Sequence, residues 1–236
     1  MSTSKGTRIT WLGHATVLVQ TPRGTNVLID PFIAHNPKYP QGFELPAKIH
    51  YILLTHGHGD HISDAGPVAK KHGSKVVAIY ELSDYMARKG VAETVGMNLG
   101  GAVELDDVTA TMVDAKHSSG AADDKGTHYV GVAAGFVLEV SGGSVLYHAG
   151  DTCVFGDMQL IRDLYAPQVA MLPIGGFYTM GPKEAAHACR LLTPRTVLPI
   201  HWGTFPPLKG RPEELAALVE PGVKVEHWKP GDVYVA

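Results

Sequence analysis

Short runs of β-branched and aromatic residues alternate along the chain with longer amphipathic stretches. Runs of the first kind predict strands, and the mostly apolar run 49–55 predicts a strand covered on both faces. The predicted strands are 8–12, 16–20, 26–30, 49–55, 75–79, 103–105, 108–114, 132–140, 145–148, 168–172, 196–200, 223–227 and 233–235. The predicted helices are 62–72, 82–89, 157–165, 182–192 and 212–219, the last two with proline in their first turn. This alternation indicates an α/β protein, with a proline-rich loop at 31–46 and a polar loop at 117–131.

One pattern occurs twice. Residues 17–30 and 137–151 both consist of a strand, a turn, a second strand and an aspartate, ending at Asp30 and Asp151. Two halves of this kind favour a layered α/β sandwich with pseudo-twofold symmetry. The alternative is that the two hairpins are alike by chance.

Composition narrows the class of protein. A chain of 236 residues fits a single domain, 1–236, and a net charge of −3 provides no basic face for nucleic acid. Cys153 and Cys189 cannot form a disulfide framework, which is typical of a reducing compartment. Residues 1–10 lack the apolar segment of a signal peptide, and no apolar run reaches the roughly 18 residues of a membrane span. We therefore expect a cytoplasmic protein that acts on a small molecule, with no membrane span and with homo-oligomerisation left open.

Four side chains of the kind that bind metals lie in the segment HGHGDH, directly after the strand 49–55: His56, His58, Asp60 and His61. His56 and His58 are two residues apart, so an extended backbone directs both to one side. Asp60 is a candidate N-cap for the helix that follows. Two donors at a strand end and two in a first helical turn suit two adjacent metal sites better than one.

Three later residues follow predicted strands in the same way: His117, Asp151 and His201. Each one alone is typical of a surface, capping or turn residue. A catalytic zinc ion, however, takes about three protein ligands and keeps one position open for water. Two ions would need more donors than HGHGDH contains, so these three residues are the candidates that complete the site.

The segment HGHGDH resembles the HxHxDH motif of the metallo-β-lactamase superfamily. The segments 11–15 (WLGHA), 150–152 (GDT), 172–182 (LPIGGFYTMGP) and 201–206 (HWGTFP) resemble uncharacterised metal-dependent hydrolases close to ascorbate-6-phosphate lactonase. The likeness extends from residue 9 to about residue 230. It implies an αββα four-layer sandwich of the metallo-β-lactamase type, with the metals at one edge of the two sheets.

The resemblance also implies a role for each candidate ligand. His56, His58 and His117 would hold the first metal, Asp60, His61 and His201 the second, and Asp151 would bridge them. Flavo-diiron members have a carboxylate at the position of His58, so this histidine argues against their oxygen chemistry. Some true lactamases have a cysteine near Asp151, but Cys153 is offset by two residues, and we interpret it as a small buried apolar residue.

These residues predict a metal-dependent hydrolase in which a metal-bridging hydroxide attacks a carbonyl or phosphorus centre of a lactone, phosphodiester, thioester or amide. Zinc is the first expectation for the two divalent ions, although Mn, Fe and Ni accept the same ligands. One alternative is a mononuclear iron oxidoreductase of the persulfide dioxygenase type, in which Asp60 and His61 would not be ligands. A non-catalytic metal-binding protein is the other.

The candidate catalytic residues are Asp60, Asp151 and His14. His14 lies between two predicted strands, where it is either a structural histidine or a substrate contact. Asp30 either orients an imidazole or is a turn residue at a strand end.

Two loops are candidates for the substrate side of the site. The loop 174–182, with Tyr178 and Thr179, either presents backbone N–H groups to an anion or is a tight connection. The segment 118–129 either covers the site or is mobile surface.

Overall fold

The computed structural model describes residues 6–236 and contains two seven-stranded sheets, a two-stranded sheet and six helices. The prediction that there is no signal peptide rests partly on residues 1–5, which are outside the described range. The strands are β1 (Arg8–Trp11), β2 (Val17–Gln20), β3 (Asn26–Ile29), β4 (Tyr51–Leu53), β5 (Lys75–Ile79), β6 (Thr94–Met97), β7 (Ala102–Leu105), β8 (Val108–Asp114), β9 (Gly120–Asp123), β10 (Gly126–Tyr129), β11 (Ala134–Val140), β12 (Val145–His148), β13 (Val169–Pro173), β14 (Thr196–Ile200), β15 (Lys224–Val225) and β16 (Val233–Val235). The helices are α1 (Gly59–Ile62), α2 (Ala65–His72), α3 (Tyr80–Arg88), α4 (Met158–Tyr165), α5 (Pro182–Leu192) and α6 (Pro212–Ala216).

The two large sheets share one plan. The first has the order β16-β1-β2-β3-β4-β5-β6, and its strands are antiparallel as far as β3 and parallel from β3 to β6. The second has the order β15-β14-β13-β12-β11-β8-β7, antiparallel from β7 to β12 and parallel from β12 to β15. The repeated sequence pattern forms the β2–β3 hairpin in one sheet and the β11–β12 hairpin in the other. Asp30 and Asp151 therefore follow equivalent strands.

Side-chain alternation along the strands produces the layers. On β13, Val169 and Met171 belong to the core between the two sheets, whereas Ala170 and Leu172 belong to the core under α4, α5 and α6. Helices α2 and α3 pack on the parallel strands of the first sheet. The predicted αββα sandwich is confirmed. Within residues 6–236, every helix is too short or too polar to cross a lipid bilayer.

Three sequence predictions of local structure were wrong. The segment 117–131 is not only loop, because β9 and β10 pair as a hairpin that Lys89 holds to α3 through a 2.7 Å bond to Asp123. The predicted helix 62–72 begins later, as α2 at Ala65, and a separate short helix, α1, precedes it. Strand β6 was not predicted, because its four residues are partly exposed and include a glycine, so they carry no apolar alternation.

Candidate metal centre

The candidate ligands converge at one edge of the sandwich, because the segments that carry them all follow strand ends. His56 and His58 follow β4, His117 follows β8, Asp151 follows β12 and His201 follows β14. Parallel strands in one sheet end at the same edge, so residues distant in sequence meet there.

Helix α1 orients the remaining two ligand candidates. It begins at Gly59, so Asp60 and His61 lie in its first turn. The prediction that Asp60 is an N-cap was wrong, because His58 occupies the N-cap position. As a result, the Asp60 carboxylate does not cap the helix and faces the site.

Asp151 is the centre of the arrangement. Its Oδ2 atom lies 3.0 Å from Nε2 of His201, 3.5 Å from Nε2 of His61, 3.6 Å from Nε2 of His117 and 4.0 Å from Nε2 of His56. Four imidazoles from three chain segments thus surround one carboxylate oxygen of Asp151, whose side chain is 3% exposed. Such a carboxylate in a metal-binding set is placed to contact two ions.

The donor atoms fall into two groups that Asp151 links. His56, His58 and His117 have ligand atoms within 4.8 Å of one another, and so do His14, Asp60, His61 and His201. A third such group, His56, His61 and Asp151, connects them. The structure therefore brings all seven predicted ligands together.

The donor atoms fit divalent cations. Nε2 of His61, Nε2 of His201 and Oδ1 of Asp151 are buried and have no hydrogen-bond partner among the described residues. Buried polar atoms without partners are rare in folded proteins, and each needs a physical reason. Imidazole nitrogen and carboxylate oxygen together are the donors that Zn, Mn and Fe accept.

Asp30 forms hydrogen bonds that orient two of the ligand histidines. It accepts hydrogen bonds from the backbone N–H of Thr55 at 2.8 Å, from Oγ1 of Thr55 at 2.6 Å and from Nδ1 of His61 at 2.8 Å. A carboxylate only accepts, so Nδ1 of His61 carries the proton and Nε2 presents its lone pair. Since the Thr55 hydroxyl donates to Asp30, its oxygen accepts from Nδ1 of His56, 3.0 Å away. One carboxylate thus determines the tautomer of two ligand candidates, and the metal-orienting interpretation of Asp30 agrees with these contacts.

His14 lies at the buried edge of the second donor group, behind Asp60. Its Nε2 atom is 3.1 Å from Oδ2 of Asp60, and its side chain is fully buried. Its carbonyl oxygen accepts from Nε1 of Trp11 and from the backbone N–H of His201, both at 2.8 Å. The contacts therefore favour a structural or positioning histidine over a substrate contact.

Backbone strain is concentrated at this edge. His14 (φ 55°), Asp30 (φ 47°) and His201 (φ 55°) all adopt the left-handed conformation. For a residue with a side chain this costs about 1–3 kcal/mol, and such strain occurs preferentially at functional sites. The sequence contains no signal for it.

The electrostatics of the site prepare it for cations. Burial lowers the pKa of His56 well below its usual range, and burial also lowers the pKa of His117. Burial acts against the charge on Asp151, but the neighbouring His201 and His61 lower the pKa of its carboxyl. Burial also acts against the charged form of His61, which by itself lowers its pKa. The neighbouring Asp151 and Asp30 outweigh burial and raise the pKa of His61. The centre therefore combines an anionic carboxylate with His56 and His117 in their uncharged form and with His61, whose charged form the two carboxylates favour. A cation at Nε2 of His61 would replace the proton there.

An open cleft of about 360 Å³ leads to these atoms. Its walls are formed by His58, Asp60, His117, Ser118, Asp151, Tyr178 and His201. Ligand sites for small molecules have volumes of roughly this size or larger. The loop 174–182 thus contributes Tyr178 to the cleft, whereas Thr179 does not line it.

Three backbone N–H groups of the loop 174–182 are not available to an anion. Gly176 N–H donates to the carbonyl of Met180, Tyr178 N–H to Gly176, and Met180 N–H to Thr152. At the start of α5, Gly181 N–H donates to the carboxylate of Glu184 at 3.1 Å. These donors are occupied, and the helix terminus already carries a negative charge.

Several supporting residues were not identified from the sequence. Ser118 Oγ lies 3.3 Å from Nε2 of His58, and Gly57 N–H donates to Oγ of Ser119 at 3.2 Å. Buried His148 accepts from the N–H of Gly150 at 3.1 Å and contacts the carbonyl of Ala15 at 3.0 Å. The only signal in the sequence was that these residues neighbour a predicted ligand.

The interpretation of Cys153 as a buried apolar residue was wrong. Its side chain is exposed, whereas Cys189, a residue of α5, is buried. The turn after Asp151 leads the chain outwards, and the backbone N–H of Cys153 donates to the carbonyl of Lys116 at 3.2 Å.

Comparison with known proteins agrees with this geometry. Residues 25–202 match the family model described as the beta-lactamase superfamily domain. A UPF0173 metal-dependent hydrolase of Koribacter versatilis is 48% identical over 230 residues, which cover 98% of each chain. A relative of the same description from Pyrococcus abyssi is 47% identical over 231 residues, which cover 95% of this chain and 97% of the relative.

Solved structures show the same fold. A metallo hydrolase from Ignicoccus hospitalis superposes with a TM-score of 0.85 at 34% identity, covering 98% of both chains. An isothiocyanate hydrolase from Delia radicum gut bacteria has a TM-score of 0.71 at 17% identity, covering 96% of this chain and 98% of the other. The second similarity concerns the fold alone.

Proposed function

The chain belongs to the metallo-β-lactamase superfamily and is a metal-dependent hydrolase, and we propose that it holds two divalent cations side by side at the edge of its two sheets. The first ion would bind His56, His58 and His117, and the second Asp60, His61 and His201, with Asp151 between them. Zinc is the proposed metal, because it suits an imidazole-rich set of ligands. Mn, Fe and Ni accept the same donors. We also propose that residues 1–236 form one domain. Cytoplasmic location and any homo-oligomer stay predictions, as does the closeness to ascorbate-6-phosphate lactonase.

One observation carries this proposal: Nε2 atoms of four histidines lie 3.0–4.0 Å from a single buried oxygen of Asp151. In the cation-free site the Asp151 carboxylate favours positive charge beside it, since it raises the pKa of His61. A pair of cations bound to the Nε2 atoms and to Asp151 would supply that positive charge in place of a proton. A single ion would leave the ligand atoms of one of the two groups without a partner.

The chemistry divides between the ions and the side chains. Paired divalent cations supply hydroxide from water at neutral pH and polarise the oxygen of a carbonyl or phosphoryl group. Asp60 and Asp151 are the proposed catalytic carboxylates, because both line the cleft and can hold a water molecule beside a substrate. Asp30 and Thr55 keep Nδ1 of His61 and His56 protonated, so that Nε2 faces the cations.

The test is metal content coupled to turnover. Wild-type protein should contain two equivalents of metal and hydrolyse a member of a panel of lactones, esters, thioesters and phosphodiesters. His58→Ala should lose about one equivalent and most of the activity, whereas His187→Ala, on the exposed face of α5, should lose neither. A His58→Ala protein with two metals and full turnover contradicts the proposal. So does a wild-type protein that contains one iron and consumes oxygen.

We propose that His14 is a positioning residue for Asp60. Its Nε2–H donates to one carboxylate oxygen, which leaves the other free for a cation. His14→Gln keeps an N–H donor at a similar position, whereas His14→Leu removes it. In cobalt-substituted protein, the visible spectrum should shift in the leucine variant and return towards wild type in the glutamine variant. Two identical, unshifted spectra would mean that His14 is only structural.

A further inference from the structure

Two exposed aromatic side chains lie next to each other on the loop 174–182, and one of them, Tyr178, lines the metal cleft. Phe177 is 78% exposed and Tyr178 is 56% exposed, and their rings meet edge to face with centroids 4.7 Å apart. Tyr178 forms part of the cleft wall, beside Asp151 and His201. Large apolar surface left in water beside a reactive centre is a mark of a binding site.

The backbone holds this pair in place. Phe177 has φ 62°, and the N–H of Tyr178 donates to the carbonyl of Gly176 at 2.7 Å, which makes a γ-turn with a strained central residue. On the far side of the pair, Met180 is buried, and its N–H donates to Thr152, the residue after Asp151. The loop is therefore connected directly to the segment that carries the central carboxylate.

Apart from the proposed cations, the cleft wall within residues 6–236 offers a substrate no lysine or arginine charge. Among the described residues, neither lysine nor arginine lines it, and the two carboxylates Asp60 and Asp151 do. The backbone N–H groups of Gly176, Tyr178 and Met180 already donate to protein oxygens, and Glu184 accepts from Gly181 N–H at the start of α5. The proposed cations would hold the reacting group, and the described wall has no arginine or lysine to recognise a second, anionic group of the substrate.

We propose, on the basis of the hydrolase function above, that Tyr178 is the specificity-determining residue and that the substrate is an uncharged ester or lactone with a planar or apolar group next to the scissile bond. The ring of Tyr178 would stack on that group while the acyl carbon lies at the metal centre. Hydrolysis breaks the acyl C–O bond: the water oxygen bonds to the acyl carbon, one water proton goes to the departing alkoxide, and an acid and an alcohol result.

The experiment uses two lactones with the same reacting group, γ-butyrolactone and γ-phenyl-γ-butyrolactone, and the phosphodiester bis(4-nitrophenyl) phosphate. Wild-type enzyme loaded with zinc should have its highest kcat/KM on the phenyl lactone and its lowest on the phosphodiester. Tyr178→Ala should reduce the preference for the phenyl lactone over the plain lactone about tenfold, through KM, whereas Tyr178→Phe should keep it because the ring remains. Tyr80→Ala serves as the control, since Tyr80 is 65% exposed and does not line the cleft.

Three results would overturn the inference while leaving the proposed function intact: an unchanged preference in Tyr178→Ala, a higher kcat/KM on the phosphodiester, or a change in sedimentation of Tyr178→Ala that identifies the aromatic pair as a subunit interface. In each of these cases the metal content stays at two equivalents. A wild-type protein without two metals, or without turnover on any of these compounds or on the wider panel, would instead contradict the proposed function.

Discussion

Replacing Asp30 by asparagine should weaken both proposed metal sites at once. Asparagine has the same shape and tolerates the left-handed backbone at this position, φ 47°, so the change is confined to charge and hydrogen bonding. Its oxygen can still accept from the N–H of Thr55, but its NH₂ then faces Oγ1 of Thr55 and Nδ1 of His61. Nδ1 of His61 must accept, which moves the proton to Nε2. The Thr55 hydroxyl turns to donate to His56, with the same result there.

The magnitude follows from these contacts. Loss of a partner behind a metal-binding histidine typically costs about 10–100-fold in metal affinity. Each tenfold corresponds to about 1.4 kcal/mol, so the expected loss is about 1.4–2.8 kcal/mol per site. The metal-free protein should also lose about 1–3 kcal/mol of unfolding free energy, because two bonds to a buried carboxylate are replaced by weaker ones.

The assay is competition for zinc against a chromophoric chelator, together with ¹⁵N–¹H correlation spectra of the imidazoles to identify the tautomers. Asp64→Asn is the matched control, since Asp64 accepts from the backbone N–H groups of Ile33 and Ala34 at 2.7 and 3.2 Å and contacts no imidazole. It should lose stability but keep its metal affinity. If Asp30→Asn binds zinc like wild type, or keeps Nδ1 of His61 protonated, the tautomer argument is wrong.

Three further outcomes are expected. Gly175→Ala should destabilise the fold by about 1–3 kcal/mol in chemical denaturation, because its Cβ would lie 2.2 Å from the carbonyl oxygen of His201, whereas Gly156→Ala, with open space around it, should cost almost nothing. Burial raises the pKa of the Cys189 thiol to about 12, so the neutral form persists through mildly alkaline pH, and iodoacetamide should label exposed Cys153 alone; mass spectrometry showing native labelling of Cys189 would refute this. Removal of metal by a chelator should lower the melting temperature, and restored zinc at about a thousandfold its Kd should return about 4 kcal/mol; an unchanged melting temperature would show that the cations do not stabilise the folded state.

Local patterns were sufficient where the structure depends on neighbours in sequence. The segment from His56 to His61 contains four of the donors within six residues, and its strand-to-helix geometry follows from period-two alternation and the two glycines. Strand runs rich in Val and Ile, and helices with proline in the first turn, were located to within a few residues. The hairpin β9–β10 was not, because polar residues and a contact with α3 hold it, and neither leaves a periodic apolar signal.

The sequence by itself determined the chemistry of this protein: the donor types, their place at strand ends and the repeated hairpin that makes two similar sheets. The tertiary structure decided which donors meet. Asp30 contacts His61 across 31 residues and His14 contacts Asp60 across 46, in each case because strand order in a sheet, and not spacing along the chain, brings them together. It also decided the proton positions on the imidazoles and the exposure of Phe177 and Tyr178. These depend on partners fixed only after the two sheets pack, because a side chain's burial and hydrogen bonds come from residues that local sequence does not specify.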